Sequence, residues 1–187
     1  MSFVVVYDAC VLYPAPLRDF LMRLALTGLF RAKWSTQIHD EWTRSLLANR
    51  PELKEILPRT VKLMNQAVPD CLVTGHETFI EKLDLPDPDD RHVLATAIVA
   101  GAQLIITLNL KDFPDEALAP YGIEAVHPDT FAVQQFDLNE ARIIEAARKH
   151  RRSLRKPPKS AQEYLDTLSA TGLVITADRL SEFKEAL

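Results

Sequence analysis

Two unbroken apolar runs constrain this chain most: FVVVY at Phe3–Tyr7 and QLIITL at Gln103–Leu108. Neither alternates apolar with polar residues, so each reads as a strand covered on both faces, as in a parallel sheet between helix layers. Helix-like stretches separate them. Leu17, Phe20, Leu21, Leu24 and Leu29 recur at helical spacing over residues 15–29, closed near Gly28. Ser35 is the expected N-cap of a helix from Thr36 to Leu47, with Ile38, Trp42, Leu46 and Leu47 on its core face. Pro51 is expected to open a further helix through about Ala67, and CLVT, within residues 69–74, a short strand. The proline-broken DLPDPDD must be loop, and leads into a helix over DRHVLATAIVAG, with Val93, Leu94, Ala97 and Ile98 inward and Gly101 as its stop. YGIEAVHP adds a last short strand. Strands alternating with helices predict an α/β fold, a mostly parallel sheet with helices on both faces.

After Phe136 the pattern turns to helices only. Leu138, Ala141, Ile144 and Ala147 read as one stripe, SAQE (Ser160 to Glu163) as a capping box, and TADRLSEFKEAL as a final short helix. Residues 1–128 are therefore expected to form the α/β domain, and 129–187 a helical appendage joined through the basic RRSLRKPPK.

Composition narrows the class. At 187 residues, 47% hydrophobic and 26% charged, the chain is globular and can bury a core. Cys10 and Cys71 form no C-x-x-C pair, which argues against a disulfide scaffold or zinc site and fits a reducing cytoplasm. No apolar run reaches the roughly 20 residues of a membrane helix, so a soluble cytoplasmic protein is expected. The formal net charge of −4 announces no nucleic-acid binder. It hides a segregation, with Asp84, Asp87, Asp89 and Asp90 in one segment and Lys149, Arg151, Arg152, Arg155, Lys156 and Lys159 in another.

Ligands of parallel α/β sheets bind outside the carboxyl ends of the strands. Asp8 ends the first strand, Asn109 and Asp112 follow the second, Asp90 opens the helix leading into it, and Glu41 lies on a helix that can face the same edge. A bare charge at the tip of a buried strand is costly, and like charges together raise one another's pKa. A hard divalent cation with oxygen ligands, Mg²⁺ or Mn²⁺, removes both problems and suits attack on a phosphate. Asp8 read alone is equally a strand-end N-cap, and Glu41 read alone a solvated helix position. Asp89 is assigned the capping role ahead of Asp90, with Asp87 a candidate outer ligand. Thr107 can orient a carboxylate or a water. His39 and His92 lack zinc-like spacing and read as surface or outer residues, Cys10 as a small buried hydrophobe, and Trp34 and Phe113 as core. The basic run reads equally as a solvated helix end or a phosphate-contacting strip.

Together, VVVYDACVLYPAPLRDFLMRLALTGLF, WSTQIHDEW and LPDPDDRHVLATAIVAGAQLIITLNLKDFP resemble the PIN-domain ribonucleases, and most the VapC-type toxins of bacterial toxin–antitoxin pairs. The resemblance covers about residues 3–127, and the tail after HPDTF is similar to the C-terminal extension of one subgroup. It implies a PIN-like three-layer fold and Mg²⁺- or Mn²⁺-dependent endonucleolytic cleavage of RNA. It also implies a cognate antitoxin that blocks the site, and pairing of subunits into a homodimer. By its motif, Asp8, Glu41 and Asp90 take the places of the first three acids. The fourth place is shared: Thr107 and Asn109 match a T-x-D/N step, and Asp112 the acid before Phe113. A neutral Asn109 is the weaker ligand, so Asp112 is expected to supply the charge. Leu17, Leu21 and Leu24 serve either as core or as an antitoxin groove. Two rivals stand beside this reading. A phosphatase with Asp8 as nucleophile favours D-x-D, which Cys10 breaks. A catalytically degenerate PIN module would bind RNA or protein without cutting.

Overall fold

The computed structural model describes residues 3–187. Among them, β1 (Val4–Tyr7), α1 (Ala9–Leu12), α2 (Ala15–Ala25), β2 (Arg31–Lys33), α3 (Thr36–Asn49) and α4 (Leu57–Ala67) form the first half. α5 (Glu77–Ile80), α6 (Arg91–Ala100), β3 (Leu104–Ile106), α7 (Asp115–Leu118) and β4 (Glu124–Val126) follow. The rest is helical: α8 (Pro128–Leu138), α9 (Glu140–Ser153), α10 (Ala161–Ala170) and α11 (Val174–Ser181).

The four strands form one parallel sheet in the order β2-β1-β3-β4. Val5 lies opposite both Ala32 and Leu104, which puts β1 at the centre of the sheet. Val5, Val6, Tyr7, Ile105 and Ile106 are fully buried, as their unbroken apolar runs require. From β1 the order runs one way to β2 and the other way to β3 and β4. The carboxyl ends of β1 and β3 therefore flank the place where the winding reverses, where open α/β sheets hold ligands.

Local signals set several boundaries. The Ser35 hydroxyl accepts from the Ile38 amide and starts α3. Gly101 ends α6 at a φ of 62°, in the left-handed region that glycine enters without a Cβ penalty. Ser160 and Glu163 close the anticipated capping box on α10.

Other expectations are corrected. The helix opened at Pro51 is a short 3-10 turn, Pro51–Leu53, and α4 starts only at Leu57. The CLVT strand reduces to a bridge between Leu72 and Trp34, in which the Trp34 amide donates to the Cys71 carbonyl and the Val73 amide to the Trp34 carbonyl. The strand β2 had no apolar run to announce it; only Ala32 faces inward, and Arg31 is exposed. The first tail helix begins at Pro128, ahead of Phe136. The stripe through Leu138, Ala141, Ile144 and Ala147 does not exist. Leu138 is 62% exposed at the end of α8, Asn139 caps a new helix, and α9 buries Ile143, Ala146, Ala147 and His150.

Two compact units result: residues 3–13 with Phe30–His127, and Pro14–Leu29 with Pro128–Leu187. The first holds the sheet. The second is helical, and it includes α2. In it, Leu17, Phe20, Leu21 and Leu24 of α2 are fully buried, as are Phe131 of α8, Ile143 and Ala147 of α9, and Tyr164 and Leu168 of α10. Leu17, Leu21 and Leu24 are therefore core and offer no groove to a partner. Asp129 of α8 caps α11 from outside, accepting from the amides of Ile175 and Thr176 at 2.9 Å each. No helix among the described residues is long and apolar enough to cross a membrane.

Candidate active site

The candidate site lies in the sheet-bearing unit and starts at Asp8. Its amide continues the β1–β3 ladder to the Ile106 carbonyl, so the side chain leaves the sheet at the carboxyl edge. The carboxylate is 2% exposed yet fully engaged. Oδ1 accepts from the Ala9 amide at 2.6 Å, which makes Asp8 the N-cap of α1. Oδ2 accepts from the Thr107 hydroxyl at 2.7 Å and from the Cys10 thiol at 3.0 Å. Burial pushes the Asp8 carboxyl above the usual range, while hydrogen bonds from Cys10 and Thr107 draw it back.

Thr107, fully buried at the end of β3, also accepts from the Asn109 amide at 3.0 Å and so shapes the exit loop. Cys10 is no mere hydrophobe. It donates to Asp8 and accepts from the Leu108 amide at 3.2 Å, tying the two strand exits together. Burial, and then the Asp8 charge, push its thiol well above the usual value, so it stays a protonated donor.

Glu41 projects from α3 with its side chain 43% exposed, and its Oε2 lies 2.7 Å from His92 Nε2. A carboxylate only accepts, so Nε2 carries the proton. His92 is buried on α6 rather than at the surface, and its Nδ1 has no hydrogen-bond partner among the described residues. His39 is buried too. Its Nδ1 accepts from Trp42 Nε1 at 3.0 Å, and its Nε2 meets Asn65 Oδ1 at 2.9 Å. Burial lowers its pKa, as suits a neutral ring inside a polar core network. Trp34 and Phe113 are core, as expected.

Asp90 ends a 3-10 turn, Pro88–Asp90, just before α6. The cap of that turn is Asp87, accepting from the Asp89 amide at 2.9 Å; Asp89 does not hold the role assigned to it, because helical backbone starts at Pro88, two residues earlier than a cap at Asp89 would set it. The Asp90 side chain makes no capping bond. Burial raises its carboxyl to about 7, and the charges of Asp8, Asp87, Glu41 and Asp112 push in the same direction. Four acids, three of them from other segments, thus act on Asp90. Asp112 sits half-buried in the 3-10 turn Leu110–Asp112, while Asn109 is exposed and contributes only its backbone to the network. Among the described residues no three His, Cys, Asp or Glu side chains approach closely enough to enclose a metal ion. The acids share an electrostatic neighbourhood without forming a closed cage.

Of the two readings of His92, surface or outer residue, its contact with Glu41 favours the outer one, whereas Cys10 was missed as a site residue. Each stands two positions after a site acid, Asp90 and Asp8 respectively, and that spacing is the one signal the sequence offered. Arg151, from the basic run, is committed to structure: Nε donates to the Leu187 carbonyl at 3.0 Å and Nη1 to the Lys159 carbonyl at 2.8 Å.

Among protein-family models, that of the VapC50 C-terminal domain matches residues 128–182. A protein named "Putative ribonuclease VapC50", from Mycobacterium tuberculosis (strain ATCC 25618 / H37Rv), is 59% identical over 51 residues. That stretch covers 27% of this chain and 30% of the relative. No solved structure matches. The PIN domain model matches residues 4–111, more than half of the chain and every acid of the site except Asp112, and the chain belongs to the PIN-domain family.

Proposed function

We propose that this chain is a divalent-metal-dependent endoribonuclease, the toxin of a type II toxin–antitoxin pair. One observation carries the reading. Half-buried Asp90 is raised to about 7, and Asp8, which ends β1 at the winding reversal of the sheet, adds its charge there with Asp87, Glu41 and Asp112. Such repulsion is costly unless a cation offsets it, and all the donors are hard oxygens, the class that Mg²⁺ and Mn²⁺ favour. These ions commonly use one or two carboxylates and several waters, so an open rim of acids fits them without a closed cage.

In this reading Asp8, Glu41, Asp90 and Asp112 hold the Mg²⁺ or Mn²⁺, and Asn109 and Thr107 assist. When bound, the ion supplies positive charge for a phosphodiester attacked by water. The chain's own groups do the positioning. Thr107 and Cys10 fix the rotamer of Asp8. His92 holds Glu41 towards the rim. Water adds to phosphorus, the 3′ oxygen leaves and takes a proton, and the products carry 5′-phosphate and 3′-hydroxyl ends. RNA is the substrate and a small antitoxin the partner. The relative named a ribonuclease supports the choice of RNA.

The test is cleavage of an RNA pool by purified protein with Mn²⁺, together with growth inhibition on expression. Asp8→Asn and Asp90→Asn should each abolish both while far-UV circular dichroism stays unchanged. Full activity in either variant, or in EDTA, defeats the mechanism.

A further inference from the structure

We infer that the helical unit carries a second site, for the phosphodiester backbone of RNA, in the cleft between α2 and α9. The choice of RNA as the polyanion rests on the ribonuclease reading; the cleft itself does not. It measures about 520 Å³, and its charged lining is Arg23 on one side and Arg142, Glu145 and Lys149 on the other. Arg142 Nη1 donates to the Thr27 carbonyl at 3.0 Å, which fixes that guanidinium at the cleft. The Arg23 side chain makes neither a hydrogen bond nor an ion pair within 4 Å among the described residues; Asp19, one turn earlier on α2, acts on it at longer range. Glu145, the one acid of the lining, is already neutralised by Arg148 at 2.5 Å and Lys149 at 3.5 Å.

Spacing and chemistry suit a string of phosphates. Arg142 and Lys149 are seven residues apart on α9, hence on one face and about 10 Å apart along its axis. Guanidinium forks match phosphate oxygens in pairs. Residues 140–159 hold eight Lys or Arg against two Glu in a chain whose net charge is −4. An acidic rim such as that around Asp90 repels a polyanion, so a separate positive site is what would capture one. A protein ligand suits the cleft less. Its only exposed large apolar side chain is Leu26, and it offers none of the aromatic anchors on which protein interfaces rely. The same lack of aromatics points to backbone contact without base reading.

The test uses the full chain carrying Asp90→Asn, so that RNA is not cut, and a fluorescein-labelled single-stranded RNA read by anisotropy across a salt series. Adding Arg23→Gln and Lys149→Gln should weaken binding about tenfold or more at low salt. It should also make the log–log salt slope shallower by about 1.4, two contacts at about 0.7 each. Hydrogen–deuterium exchange on the protein without those two changes should show RNA protecting residues 22–27 and 141–149, whether or not the double variant folds. Unchanged affinity in a folded double variant, or no protection of those segments, overturns the inference. So does a polyglutamate peptide that protects them while RNA does not. The two readings separate cleanly: cleavage in Mn²⁺ without protection of the cleft leaves the ribonuclease standing alone, and protection without cleavage leaves the cleft standing alone.

Discussion

Thr107 Oγ1 donates a 2.7 Å hydrogen bond to Asp8 Oδ2 and so joins the ends of two neighbouring parallel strands. The bond is buried, and Asp8 sits where desolvation already opposes its charge. Thr107→Val keeps the shape and removes the donor. The expected outcome is a loss of roughly 1–3 kcal/mol in stability, since a buried charged acceptor loses a partner. RNA cleavage should fall about 10–100-fold, the usual cost of losing an outer-shell partner. Urea unfolding and single-turnover cleavage check the two numbers.

His92 is expected to act through Glu41. His92→Ala should lower kcat about 10–100-fold with little change in KM. His92→Gln, whose amide nitrogen can reach the position of Nε2, should recover much of that loss. Equal damage by Ala and Gln would mean that the ring serves packing alone.

Asp90 exchanges stability for function. Removing its charge relieves the repulsion from Asp8, Asp87, Glu41 and Asp112, so Asp90→Asn should melt higher than the parent in EDTA even as it loses cleavage. A gain on the order of 2–4 °C is expected for a chain of this size. Differential scanning calorimetry reads it, and a lower melting point would contradict the proposed repulsion.

His150 gives the helical unit an acid limit. The ring is buried between Phe20 and Tyr164, with Nδ1 3.1 Å from the Tyr164 hydroxyl and Nε2 without a hydrogen-bond partner among the described residues. Burial, and then the charge of Arg23, lower its pKa to about 4. The folded state therefore binds fewer protons than the unfolded chain, whose histidine titrates near 6.5. This contribution is complete above about pH 6.5 and is lost as pH falls towards 4, to a total of roughly 3 kcal/mol. His150→Phe should flatten the stability profile over that window, as measured by urea unfolding at successive pH values.

What the sequence determined was local or strongly patterned. FVVVY and LIITL had to be covered strands, because neither alternates apolar with polar residues to give one face to water. Gly101 and Ser160 set helix ends through their own backbone and side-chain bonds. The order of the acids along the chain was equally visible. Tertiary structure decided what depends on partners far away in sequence. The strand RAK pairs because Val4–Val6 lies beside it, not through any pattern of its own. His39 and His92 could be buried because Asn65 and Glu41 arrive from other segments to satisfy them. The helix α2 joins the tail because its fully buried leucines share a core with α8, α9 and α10. The repulsion at Asp90 likewise arises from residues up to 82 positions away, since electrostatic energy follows distance in space and is blind to distance along the chain.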